Sequence, residues 1–164
     1  MKNTIAITLA AAFAAACAAP QGTQSTAPAA PRAVAAPAAC APAPSELVVK
    51  DLTPGSGPPV GYRTAVTVFY TGWLYDGCRA DFKGKQFDGN VGKPAPFGFM
   101  VGAGRVIRGW DEGLVGMKAG GKRLLVIQPN KAYGAREFPD GRIPPNSTLV
   151  FEVELANIIQ PAGG

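Results

Sequence analysis

The segment 105–115 has the repeat of a short amphipathic helix, whereas the strongest patterns elsewhere in the chain are those of strands. Val106, Trp110 and Leu114 recur at four-residue spacing, so they share one apolar face of a helix. A domain with a single short helix has to bury that face against a sheet. The segment therefore predicts an α+β domain organised around one helix.

Two glycines inside this segment limit how the helix is stabilised. Gly109 and Gly113 each cost roughly 1 kcal/mol relative to alanine in a helix. A short helix that contains both is unstable alone in water, so packing has to hold it, and the glycines permit close approach to another element. Gly116 is placed to end the helix. Taken alone, the segment favours a Trp110 that is an ordinary core residue.

Five further segments have strand character and are separated by turn signals. They are 46–53, 65–75, 96–102, 121–129 and 148–159. Turns are predicted at 54–57, 76–77 and 89–90, and loops over 78–86 and 131–147. These patterns predict an antiparallel sheet of about five strands with one helix and long loops.

Composition removes several classes of chemistry. The chain has no histidine, which excludes Ser-His-Asp and Cys-His catalysis and histidine-bearing zinc sites. Its formal charge is +5, but the basic residues are scattered and form no run, so nucleic acid is not an expected partner. No phosphate-binding loop or metal spacing is present, and no metal or cofactor is expected.

Residues 1–16 have the pattern of a signal peptide. Lys2 gives a positive start, and the apolar run that follows is shorter than the roughly 20 residues that span a bilayer. Small residues precede Cys17, which resembles the lipobox of bacterial lipoproteins, in which the cysteine is acylated. Ala14 departs from that pattern, since leucine is usual there. The alternative is an ordinary secretory signal with an incidental Cys17.

Residues 17–45 are rich in alanine and proline and have no apolar periodicity. We interpret them as a disordered tether, either a spacer that holds a domain away from a membrane or filler without that role. The globular domain is predicted to cover 46–164. The chain is therefore expected to be exported to the periplasm or cell envelope, with an outer-membrane lipid anchor at Cys17.

The domain then resembles one family. The segments that carry the resemblance stand in the family's order and near its spacings, and they are Val68-Phe69-Tyr70-Thr71-Gly72, Phe87-Asp88, Phe97, Val106-Ile107-Arg108-Gly109-Trp110, Ala132-Tyr133-Gly134 and Ile143-Pro144-Pro145 with Thr148-Leu149-Val150-Phe151. They resemble the FKBP-type peptidyl-prolyl isomerases over about 46–159. The lengthened loop 78–86, Gly89-Asn90 after the acid, and Lys93 in place of a frequent arginine depart from the family pattern.

The resemblance implies a half-barrel sheet wrapped around the helix, with an apolar pocket between them. Trp110 is expected to form the floor, and the Tyr133 hydroxyl and the Ile107 N–H to hold substrate carbonyls. Asp88, oriented by Tyr70, is the expected acid, although a turn role for Asp88 stays open. The implied catalytic residues are Asp88, Tyr133 and Tyr70, and the implied substrate-binding residues are Phe87, Phe97, Val106, Ile107, Trp110, Ile143 and Phe151.

The chemistry implied is rotation about X-Pro bonds without a covalent intermediate. The barrier to rotation is about 18–20 kcal/mol because the planar amide loses resonance. A water-poor pocket favours the twisted amide over the planar form, which water stabilises. Proline-containing polypeptides are the expected substrates, and macrolides that fill such pockets the expected inhibitors. The alternative is a non-catalytic module or folding chaperone that holds proline-containing segments.

Two cysteines remain if Cys17 is acylated. Cys40 and Cys78 form an even pair in an oxidising compartment, which suggests a disulfide between the tether and the loop. Two free thiols, or a bridge between molecules, are equally open.

Overall fold

The computed structural model of the chain describes residues 40–136, 138 and 140–159. Its elements in chain order are β1 (Val48–Thr53), β2 (Ser56–Pro59), β3 (Ala65–Tyr75), β4 (Lys83–Gly89), β5 (Phe97–Met100), α1 (Arg108–Gly113), β6 (Lys118–Ala119), β7 (Lys122–Ile127), a 3-10 turn (Pro129–Lys131) and β8 (Leu149–Ile159). The predicted α+β class, an antiparallel sheet with one short helix, is confirmed for these residues.

Strand β3 is the centre of a six-stranded antiparallel sheet. The order is β1-β7-β8-β3-β4, and β5 also pairs with β3. Strand β8 pairs along nearly the whole of one edge of β3. The other edge is divided, because Ala65–Val68 pair with β5 and Thr71–Tyr75 pair with β4. The chain between β4 and β5 therefore starts and finishes beside the middle of β3.

Helix α1 lies on this sheet at very short range. A Cβ atom at Gly109 would lie 2.4 Å from Cγ2 of Ile127, and one at Gly113 would lie 2.7 Å from Cδ2 of Leu125. Both distances are too short for real atoms, so the two glycines are what allow contact with β7. The helix is shorter than the segment 105–115, since Ile107 is extended and α1 begins at the next residue.

An arginine of β7 donates hydrogen bonds to the C-terminal end of the helix. The Arg123 guanidinium donates to the carbonyl oxygens of Gly113 (2.7 Å) and Val115 (3.1 Å) and pairs with Asp51 at 2.6 Å. It thus supplies partners for carbonyls that a helix end leaves without them. The prediction that Gly116 caps the helix was wrong, because the C-cap is Leu114, and Gly116, with a φ of +80°, lies two residues further on in the turn that follows.

Three further predictions about local structure were wrong. The predicted turn 54–57 overlaps strand β2, which pairs with β6 in a separate two-stranded sheet. The predicted loop 78–86 ends in strand β4, and Gly89 still belongs to that strand instead of a turn. Eight strands are present in the described residues instead of about five. The strands that were not predicted are short or polar. They form because they pair with distant parts of the chain, and their own sequence patterns do not indicate a strand.

Residues 40–45, hereafter the docked segment, lie against the domain although the sequence predicts a tether as far as residue 45. The Ala41 N–H donates to the Gly77 carbonyl at 2.8 Å, and the Tyr75 hydroxyl donates to the Pro42 carbonyl at 3.0 Å. The amide of Gln128 donates to the carbonyl of Pro44 at 3.2 Å. The ordered domain therefore includes residues that the sequence pattern assigns to the tether.

A disulfide joins the docked segment to the loop after β3. It links Cys40 to Cys78 across 38 residues of sequence, with a Cα–Cα distance of 4.2 Å. The predicted signal peptide 1–16, Cys17 and the remainder of the tether to residue 39 lie outside the described residues. Within the described part of the chain, no helix has the length and apolar character needed to cross a bilayer.

Candidate active site

A cavity of about 440 Å³ opens between the inner face of the sheet, the start of α1 and the loop that follows the 3-10 turn. Its lining combines six aromatic rings, two of them phenols, with two aliphatic side chains, an alanine, one carboxylate and three guanidinium groups. The lining residues are Tyr70, Phe87, Asp88, Phe97, Arg105, Val106, Ile107, Arg108, Trp110, Ala132, Tyr133, Arg136 and Phe151.

Trp110 forms the floor of the cavity. It is 4% exposed and projects from the middle of α1. The Tyr70 ring meets it nearly edge-on with centroids 5.0 Å apart, and the Phe151 ring does so at 5.3 Å. Its Nε1 has no hydrogen-bond acceptor among the described residues. Aromatic edge-to-face packing of this kind fixes the plane of a ring beyond simple burial, so the floor is rigid before any ligand enters.

The wall opposite the helix depends on a glycine in the middle of β3. A Cβ atom at Gly72 would lie 2.7 Å from Cε1 of Phe151 and 2.8 Å from Cζ of Phe87. Those two rings pack edge-on with centroids 5.6 Å apart across the space that the missing side chain leaves. Any larger residue at position 72 would displace one of the two rings from the cavity wall.

Asp88 is the one carboxylate in the lining, and its two oxygens accept different hydrogen bonds. The Tyr70 hydroxyl donates to Oδ2 at 2.9 Å, and the Gly89 N–H donates to Oδ1 at 2.8 Å. No described residue forms an ion pair with Asp88, and Lys93 instead lines a groove on the outer face of the sheet. The acid is therefore held by neutral donors.

Both phenols at the site stay protonated. Burial raises the pKa of Tyr70 well above its ordinary value, and the hydrogen bond to Asp88 raises it further. Burial and the nearby Asp88 charge also raise the pKa of the Tyr133 phenol. Because a neutral phenol can donate and a phenolate cannot, both hydroxyls remain available as donors.

The chain beside Asp88 is anchored by an asparagine that the sequence suggests is a turn residue. Asn90 is 6% exposed, its Oδ1 accepts from the Tyr70 N–H at 2.6 Å, and its Nδ2 donates to the Val68 carbonyl at 3.1 Å. The Asn90 side chain thus makes hydrogen bonds to the β3 backbone just beyond the end of β4. These bonds fix the backbone next to Asp88 to that of Tyr70, and so hold the two residues side by side.

The loop before α1 is held by a buried carboxylate. Asp111 accepts the N–H of Gly102 at 2.7 Å and that of Gly104 at 3.0 Å. Both N–H donors belong to a loop that leads directly to Ile107. The Ile107 N–H itself donates to no described acceptor. Asp111 therefore fixes the loop while leaving a backbone donor at the cavity open to a ligand.

Most residues implied by the family resemblance are brought together here. Nine line the cavity, and they are Asp88, Tyr133, Tyr70, Phe87, Phe97, Val106, Ile107, Trp110 and Phe151. The tenth, Ile143, is 3% exposed and is absent from this lining. It lines a neighbouring cavity of about 80 Å³, whose lining residues are Phe87, Asp88, Tyr133, Phe138, Arg142 and Ile143.

Sequence reasoning missed Ala132 and three arginines in the lining. Arg105 and Arg108 flank the predicted pocket residues Val106 and Ile107, and Arg136 follows the predicted Tyr133 closely in sequence. Their proximity to predicted lining residues was the one available signal. No cluster of three or more potential metal ligands exists among the described residues.

The fold and cavity define a binding pocket for an apolar ring with polar groups at its edge, built on an antiparallel sheet and one short helix. Residues 59–156 match the family model for FKBP-type peptidyl-prolyl cis-trans isomerase. The chain therefore belongs to this family, and it is a peptidyl-prolyl cis-trans isomerase.

Similar proteins come from fungi and bacteria. FK506-binding protein 1 of Gibberella zeae is 51% identical over 109 residues, which cover 65% of this chain and 93% of that protein. The FK506-binding protein of Neisseria meningitidis serogroup A is 43% identical over 114 residues, which cover 70% and 97%. The crystal structure of a peptidyl-prolyl cis-trans isomerase from Pseudomonas syringae pv. tomato matches with a TM-score of 0.56 and 38% identity, over 70% of this chain and 76% of that one.

Proposed function

We propose that the cavity over Trp110 binds the proline ring of an X-Pro segment and lowers the barrier to rotation without covalent chemistry. The observation that supports this most is the floor and walls of packed aromatic rings, with the hydroxyl of Tyr133 and the N–H of Ile107 among the groups at the same cavity. Excluding water from the amide removes the solvation that favours its planar form. The twisted amide, which has less charge on its oxygen, is bound more tightly than the planar one.

The polar groups at the rim would hold the peptide on either side of the rotating bond. The open N–H of Ile107 and the protonated hydroxyl of Tyr133 are the donors proposed for substrate carbonyls. Asp88 accepts a hydrogen bond from the Tyr70 hydroxyl and so orients that phenol at the cavity. These assignments rest on the placement of the residues around one cavity.

Exchange spectroscopy on a short X-Pro peptide tests this function. The uncatalysed cis–trans exchange takes tens to hundreds of seconds, too slow for exchange cross-peaks. Adding the purified chain should produce them. Phe97→Ala, which shortens a 43% exposed lining residue, should weaken catalysis, whereas Val91→Ala, 68% exposed on the outer groove, should not. Binding of the peptide without any acceleration would favour a module that only holds proline segments.

We infer in addition that macrolides of the FK506 type bind in the same cavity, because the curated relatives carry that ligand in their names. A soluble macrolide should inhibit exchange competitively with the peptide. Inhibition that Phe97→Ala leaves unchanged would argue for binding elsewhere.

We infer that the protein is exported and lipid-anchored through Cys17, on the strength of its first 17 residues alone. One acyl chain binds membranes only marginally, and two or more anchor stably. The intact mass of the mature protein distinguishes the possibilities. Acylation at Cys17 that is lost in Cys17→Ser supports the anchor, whereas an unmodified N-terminus at or beyond Ala18 contradicts it.

A further inference from the structure

We propose that this isomerase selects proline segments that carry an acidic side chain directly before or after the proline, and that Arg105, Arg108 and Arg136 make the selection. The inference rests on the proposed function of the cavity and names its substrate class.

The first observation is an excess of positive charge around an apolar cavity. Three arginines and one aspartate line it, so positive charge exceeds negative charge by two. The carboxylate of Asp88 already accepts from Tyr70 and Gly89. It is therefore occupied by neutral donors and forms no ion pair with the three guanidinium groups among the described residues.

The second observation is that the three arginines have no acidic partner within the described residues, whereas the neighbouring cations have one. Lys131 pairs with Glu112, and Arg142 pairs with Asp140, both close to the same loop. No ion pair of Arg105, Arg108 or Arg136 occurs within the described residues, and all three are exposed.

A third observation concerns Arg108, the first residue of α1. The start of a helix favours acidic side chains, and a cation there is opposed by the backbone dipoles. Arg108 thus lacks a stabilising role within its own helix. Its neighbour Ile107 has the open N–H, and both residues line the same cavity.

Each exposed guanidinium at the cavity adds only a modest amount of binding free energy, because solvent screens its charge. An exposed ion pair changes a binding constant by a factor of about 1.4 to 5. Three arginines around one carboxylate are expected to give about a five- to tenfold preference at low salt, since the side chains can share the acid. A planar guanidinium can also bind a carboxylate through two hydrogen bonds, which an ammonium cannot do.

The test compares peptides that differ in charge but hardly in shape. Two pairs are used, with glutamate or glutamine directly before the proline and directly after it. We expect kcat/KM to be about five- to tenfold higher for glutamate in at least one pair at low salt. The ratio should fall towards one near 1 M salt, where the screening length is about 3 Å. Ratios of one or below in both pairs at low salt would overturn the proposal.

Variants then assign the effect to the three arginines. Arg105→Gln/Arg108→Gln/Arg136→Gln should bring the glutamate-to-glutamine ratio close to one, and each single variant should lower it in part. Lys50→Gln, an exposed change in β1, should leave the ratio as it is. A ratio that survives the triple variant would contradict the assignment. Should the triple variant not fold, the single variants carry the same comparison.

The peptide series also separates the two proposals. If glutamine peptides are isomerised but glutamate gives no advantage, the substrate class is wrong and the proposed function stands. If no peptide of any kind is accelerated, the proposed function itself fails.

Discussion

At the scale of single residues, the site depends on neutral hydrogen-bond donors aimed at one acid. We expect Asp88→Ala to lower kcat/KM by about tenfold, which is about 1.4 kcal/mol, because the Tyr70 hydroxyl loses its acceptor and the cavity loses its one carboxylate. Tyr133→Phe should cost less, about two- to threefold, since the open N–H of Ile107 still binds the peptide. Steady-state rates on one peptide measure both. Equal losses, or a larger loss in Tyr133→Phe, would contradict the assigned roles.

The protonation of the two phenols leads to a prediction about pH. Because the pKa values of Tyr70 and Tyr133 are raised and the chain has no histidine, activity should be flat from about pH 6 to about pH 9. Above about pH 10 the unfolded chain loses phenolic protons that the folded one keeps, so stability should fall as pH rises. Ultraviolet titration of the four tyrosines should show two that resist ionisation. Four that titrate together would refute the argument.

At the scale of elements, the contact of α1 with β7 depends on glycine. Gly109→Ala should lower the free energy of unfolding by about 1–3 kcal/mol, although alanine favours helices by roughly 1 kcal/mol, because its Cβ would lie 2.4 Å from Ile127. Urea unfolding measures this.

The matched control is Gly61→Ala, whose added Cβ meets its nearest neighbour at an ordinary 3.6 Å. It should be nearly neutral. Adding Ile127→Ala to Gly109→Ala should cost less than the sum of the two single changes, since the pair shares one contact. Additive losses would show that the glycine is needed for another reason.

At the level of the whole molecule, the disulfide fixes the docked segment to the loop after β3. With Cys40 and Cys78 joined, the Ala41 N–H donates to the Gly77 carbonyl. The chain-entropy model predicts that a disulfide closing a loop of this length stabilises the folded protein by about 4 kcal/mol. We expect a stabilisation of about 2–3 kcal/mol, because the docked segment keeps other contacts without the bridge. Peptide mapping without reductant should recover the bridged pair, and alkylatable thiols at both positions would contradict it.

Cys78→Ser supplies the structural control for that bridge. It should increase hydrogen exchange at the Ala41 amide, which donates to Gly77, while kcat/KM stays close to that of the unmodified chain, since neither cysteine lines the cavity. Protection of Ala41 that persists without the bridge would mean that the hydrogen bonds from Tyr75 and Gln128 suffice to hold the docked segment.

Local patterns in the sequence predict the helix and the long strands, and the family resemblance predicts most of the aromatic lining. Val106, Trp110 and the alternation in β3 and β8 are local periodicities, which backbone geometry converts directly into a buried face. The aromatic lining was predicted through family resemblance, because its residues stand in a recognisable order.

The other features arise from contacts between residues that are distant in the sequence. Strand β2 exists because β6 pairs with it, the docked segment is held by groups 33 to 84 residues away, and Asn90 spans 20 residues to anchor Tyr70. The three arginines meet around one cavity although Arg136 lies far along the chain from Arg105. None of these contacts has a period in the sequence, because each depends on which distant backbone groups the folded sheet brings within bonding distance.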